Sequence, residues 1–157
     1  MPLFINDDQK EHLINIELLK TQGERILLFL EHENHELSVL LSDDKKIRTL
    51  NKQYRGIDQA TDVLSFSQNK KDEKEPSSHL MGDVVISTVT AKRQASEHGL
   101  TLEEEIVLLI IHGTLHLLGF DHERSDEEAH MKKKTQELFS RIFPNKKPHE
   151  SCSLYSD

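Results

Sequence analysis

Apolar residues in this chain gather in short blocks divided by charged stretches, and each block has a period that can be read. Leu13–Leu18 (LINIEL) is apolar and β-branched and predicts a first strand. Thr21 and Glu24 have capping-box spacing, so a helix is expected to follow through about Glu33. Glu36–Leu41 predicts a second strand, and Ser42 is then read as the cap of a helix whose Ile47, Leu50 and Tyr54 share one face. Gly56 stops that helix, Val63–Phe66 predicts a third strand, and the polar stretch Gln68–His79 predicts an exposed loop. Asp83–Ser87 predicts a fourth strand, followed by a helix over Thr88–His98 that Gly99 ends. Thr101 and Glu104 form a second capping box opening the most apolar helix, Leu102–Leu118, which Gly119 stops. Ser125 and Glu128 form a third, opening a last helix that ends near Pro144.

Strands separated by helices give an α+β fold: a mixed, mainly four-stranded sheet with helices packed on it. The early strand–helix–strand unit favours parallel pairing there. With no repeat and no low-complexity tract, residues 1–157 read as a single domain, and the polar stretch from Asn145 onward as a mobile tail.

Charge and cysteine content narrow the classes. The formal net charge is −8, from 20 Lys+Arg against 28 Asp+Glu. This counts against strong non-specific binding to nucleic acid, without excluding a local basic groove. One cysteine, Cys152, precludes an intramolecular disulfide and suits a reducing cytoplasm; it reads as an incidental residue of the tail. No apolar run reaches the ~18 residues of a membrane span, and the N-terminus lacks the form of a secretory signal.

The chemistry concentrates in His112–His122, HGTLHLLGFDH. His112 and His116 are four apart on a predicted helix, which puts both imidazoles on one face, one turn apart. Gly119 lets the chain turn back so that His122 reaches the same ion. Three histidines with no fourth protein ligand form an open pattern, whereas structural zinc sites are usually closed by four ligands and rich in cysteine. An open position holds water, and zinc lowers the pKa of that water to about 7. The prediction is one zinc ion held by His112, His116 and His122 on the apolar helix and the turn after it. The spacing is that of the metzincin proteases, which carry Glu directly after the first histidine as general base. Here that residue is Gly113, which cannot accept a proton, and so peptide hydrolysis by that route is disfavoured.

HGTLHLLGFDH closely resembles the signature of the YbeY family of bacterial endoribonucleases. Leu50–Gly56 (LNKQYRG) followed by Thr61–Phe66 (TDVLSF), and Gly82–Ser87 (GDVVIS), resemble two further blocks of that family in order and spacing. The likeness runs from about Leu37 to Leu138. Ala60 and Ser67 stand where the family commonly has proline, which affects loop rigidity and not chemistry. The resemblance implies an α+β fold, one zinc on three histidines, and metal-dependent cleavage of single-stranded RNA. It further implies maturation of ribosomal RNA, especially the 3′ end of the small-subunit RNA, and ribosome quality control, with the ribosome or small-subunit proteins as partners and no membrane or DNA involved. The family's functionally important arginine falls on Arg55, whose planar guanidinium suits phosphate oxygens and could stabilise a phosphorane-like transition state. Taken on spacing alone, Arg55 reads first as a cation at a helix C-terminus, and it is the resemblance that favours the phosphate role.

Other polar residues carry less. Asp121 is read as orienting a ligand imidazole or as forming the turn before His122, Asp62 as a turn residue, Asp83 as structural, and His130 and His149 as surface histidines. The nucleophile stays open between metal hydroxide and the RNA's own 2′-hydroxyl. Two rival functions remain: a hydrolase of a small amide or ester using the same open zinc, and a non-catalytic ribosome-assembly factor with a structural zinc. Lys45, Lys46, Arg48 and Lys52 lie on the helix leading to Arg55.

Overall fold

The computed structural model describes residues 3–67, 80–120 and 124–149 together with Cys152. In chain order the elements are β1 (Leu3–Asp7), α1 (Ile16–Phe29), β2 (Glu36–Ser42), α2 (Asp44–Arg55), β3 (Val63–Ser67), β4 (Leu80–Ser87), α3 (Thr88–His98), α4 (Leu102–Leu117) and α5 (Ser125–Ile142). The four strands form one sheet in the order β1-β2-β4-β3. β1 and β4 both run parallel to β2, while β3 runs antiparallel to β4 and lies at one edge. The result is the mixed four-stranded α+β arrangement expected from the alternation of blocks. The predicted loop Gln68–His79 lies outside the described residues.

Successive residues of each strand point to opposite faces, and that separates two cores. Leu37, Val39 and Leu41 of β2, with Val84 and Ile86 of β4, join the main core beneath α4, which α1, α3 and α5 complete. On the other face, Leu64 and Val85 meet Ile47 of α2, with Leu40, Leu50 and Phe66 around them. α4 therefore lies under one face and α2 over the other. Ile106–Ile111 are fully buried on every side of α4, as expected of a helix apolar all round its circumference. Its capping box is formed: Thr101 Oγ1 accepts from Glu104 N, and Glu104 returns a bond to Thr101 N at 2.8 Å.

The N-terminal elements correct the sequence reading. Leu13–Leu18 is not a strand. Asn15 Oδ1 accepts from Leu18 N at 3.1 Å and caps α1, which starts five residues before the Thr21–Glu24 pair and ends at Phe29, not Glu33. Leu13 is fully exposed, the reverse of what a core strand requires. The strand paired with β2 is Leu3–Asp7, and the parallel strand–helix–strand unit is built on it. Two caps also differ. Asp43, not Ser42, caps α2 through a 2.9 Å bond from Lys46 N. Ser125 is the first residue inside α5, whose cap position is Arg124, with no side-chain cap bond.

The described residues beyond α5, 143–149 and Cys152, pack on the body. His149 N donates to His98 O at 2.9 Å, Cys152 N to His149 O at 2.9 Å, and Lys146 Nζ lies 3.5 Å from Glu104 Oε1. Cys152 is fully buried in the main core, so it is a core residue and not an incidental one. Among the described residues no helix is long and apolar enough to cross a membrane.

Candidate metal centre

Small residues seat α4 close on β3 and β4. A Cβ on Gly113 would lie 2.8 Å from Val84 Cγ1 and 3.0 Å from Ser65 Oγ. Ser65 Oγ donates to Gly113 O at 3.0 Å, tying the helix to the edge strand. One turn on, Leu117 packs over Gly82, where an added Cβ would meet Phe66 O at 2.4 Å. The helix is thus pinned in height and rotation over its last two turns.

That seating turns His112 and His116 away from the sheet to a partly exposed flank, while Gly113, Thr114 and Leu115 are buried. Their Nε2 atoms stand 3.1 Å apart, and the rings are nearly perpendicular at 84°. Two nitrogens each about 2.0–2.1 Å from one tetrahedral zinc ion stand roughly 3.3 Å apart. The observed separation therefore fits two ligands of one ion, and imidazole nitrogens are suitable donors for zinc.

Past His116 the helix ends as the sequence suggested. Gly119 N donates to His116 O and Phe120 N to Leu115 O, both at 3.0 Å, and Gly119 takes the left-handed φ of 94°. Asp121 and His122 lie outside the described residues. Among the described residues no group of three His, Cys, Asp or Glu side chains is arranged to hold an ion. Two of the three expected ligands are thus brought together. Beside the helix end, Phe120 stacks on the exposed His130, with ring centroids 5.2 Å apart and planes within 14°. Arg124, Asp126 and Glu127 line the same open depression. Sequence spacing gave no sign that His130 stands at this wall.

Arg55 is exposed in the last turn of α2, which closes on Gly56 in the left-handed conformation (φ 71°). The structure does not pack it against the histidines, because α2 and α4 occupy opposite faces of the sheet. It does place both at one end of the edge strand. Tyr54 meets Phe66 edge-on at 5.2 Å, and on the other face Leu117 reaches Gly82, paired in register with Ser67. Asp62 O accepts from Ser87 N at 2.9 Å and its carboxylate meets Thr61 Oγ1 at 3.3 Å, as suits a turn residue. Asp83 sits within β4 opposite Ser38 and Phe66.

Sequence reasoning missed one ionisable pair. Glu105, fully buried in the first turn of α4, shares a short hydrogen bond with His98 Nδ1 at the end of α3. Burial pushes the Glu105 carboxyl above its ordinary range; His98 opposes that, while Asp62 and Glu97 add to it. The available signal was a glutamate followed directly by the apolar run Ile106–Ile111.

Comparison with known proteins bears on what this arrangement does. Residues 4–143 match the family described as Endoribonuclease YbeY. A protein named endoribonuclease YbeY from Persephonella marina is 46% identical over 143 residues, covering 89% of this chain and 92% of its own. One of the same name from Desulforamulus reducens is 39% identical over 153 residues, covering 93% and 100%. A chloroplastic endoribonuclease YBEY from Arabidopsis thaliana is 55% identical over 107 residues, 68% of this chain but 18% of that longer protein. The solution structure of a Thermotoga maritima protein superposes with a TM-score of 0.61 at 27% identity, over 90% of this chain and 89% of that one.

Proposed function

The chain belongs to the YbeY endoribonuclease family, and on that footing we propose that it cleaves single-stranded ribosomal RNA with one zinc ion held by His112, His116 and His122. The observation that carries the metal reading is the 3.1 Å approach of His112 Nε2 to His116 Nε2 on a helix with no slack in its seating. When bound, such an ion supplies Lewis acidity: it draws electron density from a phosphoryl oxygen and makes nearby water more acidic.

The remaining work belongs to the protein. α4 presents the two imidazoles in a fixed mutual orientation because Gly113 and Leu117 lock it to the sheet. His122 supplies the third ligand from the turn after Gly119. Arg55 binds a phosphate of the substrate through its planar donors, reaching past the end of β3. The biological role is maturation of the small-subunit ribosomal RNA at its 3′ end and ribosome quality control, in contact with small-subunit proteins. The acidic net charge of −8 favours presentation of the RNA by such a partner over capture of free RNA.

Purified protein incubated with a single-stranded ribosomal RNA fragment tests this reading. Cleavage that disappears on chelation and returns with zinc is expected. Zinc-loaded protein that leaves the fragment intact, alone and beside small ribosomal subunits, overturns it.

A further inference from the structure

Five of the twelve residues of α2 are basic and one is acidic, in a chain of net charge −8. Lys45, Arg48, Lys52 and Arg55 are all exposed, and their 3-4-3 spacing sets them within one narrow stripe. From Lys45 to Arg55 the stripe rises about 15 Å along the helix axis. It flanks the segment that returns to the edge strand: Asn51 Nδ2 donates to Gln59 O at 2.8 Å, and Arg48 Nε to Asp58 Oδ1 at 2.8 Å. Lys45 and Arg48 line two adjoining open grooves, one with Asp58, Gln59 and Ala60, the other with Lys52, Thr49, Gln53 and Asp58.

Helix stability explains only part of the pattern: Lys52 and Arg55 stand in the last turn, where the dipole favours a cation, but Lys45 and Arg48 do not. Like charges three and four apart repel one another. Lys45 stands in the first turn, where the helix dipole disfavours a cation. The Arg48–Asp58 pair is exposed at both partners and contributes little. A polyanion laid along the stripe resolves the repulsion and satisfies all four cations at once. The stripe ends at Arg55, beside the exposed Tyr54, whose ring is braced edge-on by Phe66. An exposed ring so placed suits stacking by an unpaired base.

We infer that the Lys45–Arg48–Lys52–Arg55 stripe of α2 is the track that holds the backbone of single-stranded RNA and leads it round the edge strand β3 toward the histidines. The inference rests on the endoribonuclease reading and adds the path of the strand. A track of this kind binds electrostatically and without regard to sequence. Each phosphate contact on a single strand contributes about 0.7 to the slope of log affinity against log salt.

The test is direct binding of a fluorescent single-stranded oligoribonucleotide across a salt series, beside cleavage kinetics. The double variant Lys45→Ala/Lys52→Ala is compared with Lys133→Ala/Lys147→Ala, which removes the same charge from exposed positions elsewhere. The stripe variant is expected to bind roughly tenfold more weakly and to flatten the salt slope by about one to one and a half, with the cleavage defect in KM and not in kcat. The control pair retains the wild-type slope. Equal slopes and affinities for stripe variant and wild type overturn the track, even if the wild type cleaves RNA. Loss of association with small subunits alone, with oligonucleotide binding intact, overturns it in favour of a protein contact. Failure of wild-type cleavage with the slope difference present strikes the endoribonuclease reading and leaves the track standing.

Discussion

Gly113 and Val84 approach so closely that a Cβ on the glycine would lie 2.8 Å from Val84 Cγ1. This contact explains why the position after the first histidine cannot carry the general base of a zinc peptidase: the residue faces the sheet, not the site. A Gly113→Glu substitution therefore does not convert the chain into a peptidase. It drives a carboxylate into the packed face between α4 and β4. Overpacking of this kind costs about 1–3 kcal/mol even for added methylenes, and burying an unpaired charge adds to that. Gly113→Ala is expected to lose about 1–3 kcal/mol in denaturant unfolding, and Gly113→Glu more. A stable Gly113→Glu protein would show that the helix can lift off the sheet.

The histidine pair was legible in the sequence because the helical period alone sets neighbours four apart on one face, and Gly119 marked the stop. The central strands were legible for a similar reason, since runs such as Asp83–Ser87 are short, β-branched and bounded by turns. The N-terminus was not. Leu13–Leu18 has the composition of a strand, and only the bond from Leu18 N to Asn15 Oδ1 shows that the chain is entering a helix. The true strand, Leu3–Asp7, buries Leu3 but leaves Phe4 half exposed, so it carried little apolar signal. The separation of Arg55 from the histidines by the sheet depends on strand order, which no local pattern encodes.

His116→Ala separates ligand from scaffold. His116 is partly exposed and its ring lies outside the main core, so the apo fold is expected to survive the change. The variant should purify with less than a tenth of the wild-type zinc, consistent with loss of a protein ligand from a three-ligand site. Zinc should raise the melting temperature of the wild type but not of the variant, since only binding to the native state stabilises it. Elemental analysis and thermal melts on the same samples read both effects. Undiminished zinc in the variant would remove His116 from the ligand set.

Arg55→Ala and Arg55→Lys test the phosphate role without touching the fold, because the side chain is exposed at a helix end. Zinc content is expected to match the wild type in both. Cleavage by Arg55→Ala should fall roughly a hundredfold, the scale of losing one preorganised donor to a developing charge. Lysine should recover only part, because it keeps the charge but not the planar pair of donors. Full recovery by lysine would mean that charge alone matters there.

Thr114, two residues from each histidine along α4 but on the opposite, buried side of the helix, has an Oγ1 with no hydrogen-bond partner among the described residues. An unsatisfied buried hydroxyl costs about 1–3 kcal/mol, and an apolar group of the same shape avoids that cost. Thr114→Val is expected to stabilise the protein by about 1 kcal/mol, with zinc content unchanged. Destabilisation in urea unfolding would mean that the hydroxyl finds a hydrogen-bond partner in the folded protein.

Glu105 makes stability depend on pH in a direction opposite to that of most carboxylates. Burial raises its pKa above the ordinary 4.5, with Asp62 and Glu97 pushing the same way and His98 opposing. Between 4.5 and the raised folded value, the native state therefore binds more protons than the unfolded chain, and stability falls as pH rises. The contribution is fully present below the ordinary value and is lost as pH climbs through the folded one. Glu105→Gln mimics the protonated form and keeps an acceptor for His98, so it holds that stability at every pH. Its advantage over the wild type in unfolding free energy should be smallest near pH 4 and should widen toward neutrality. Measuring the difference between the two proteins cancels titrations elsewhere, such as that of Asp58, which its bond to Arg48 lowers. A difference that stays constant across that range would mean that the pair with His98 offsets the burial of Glu105 in full.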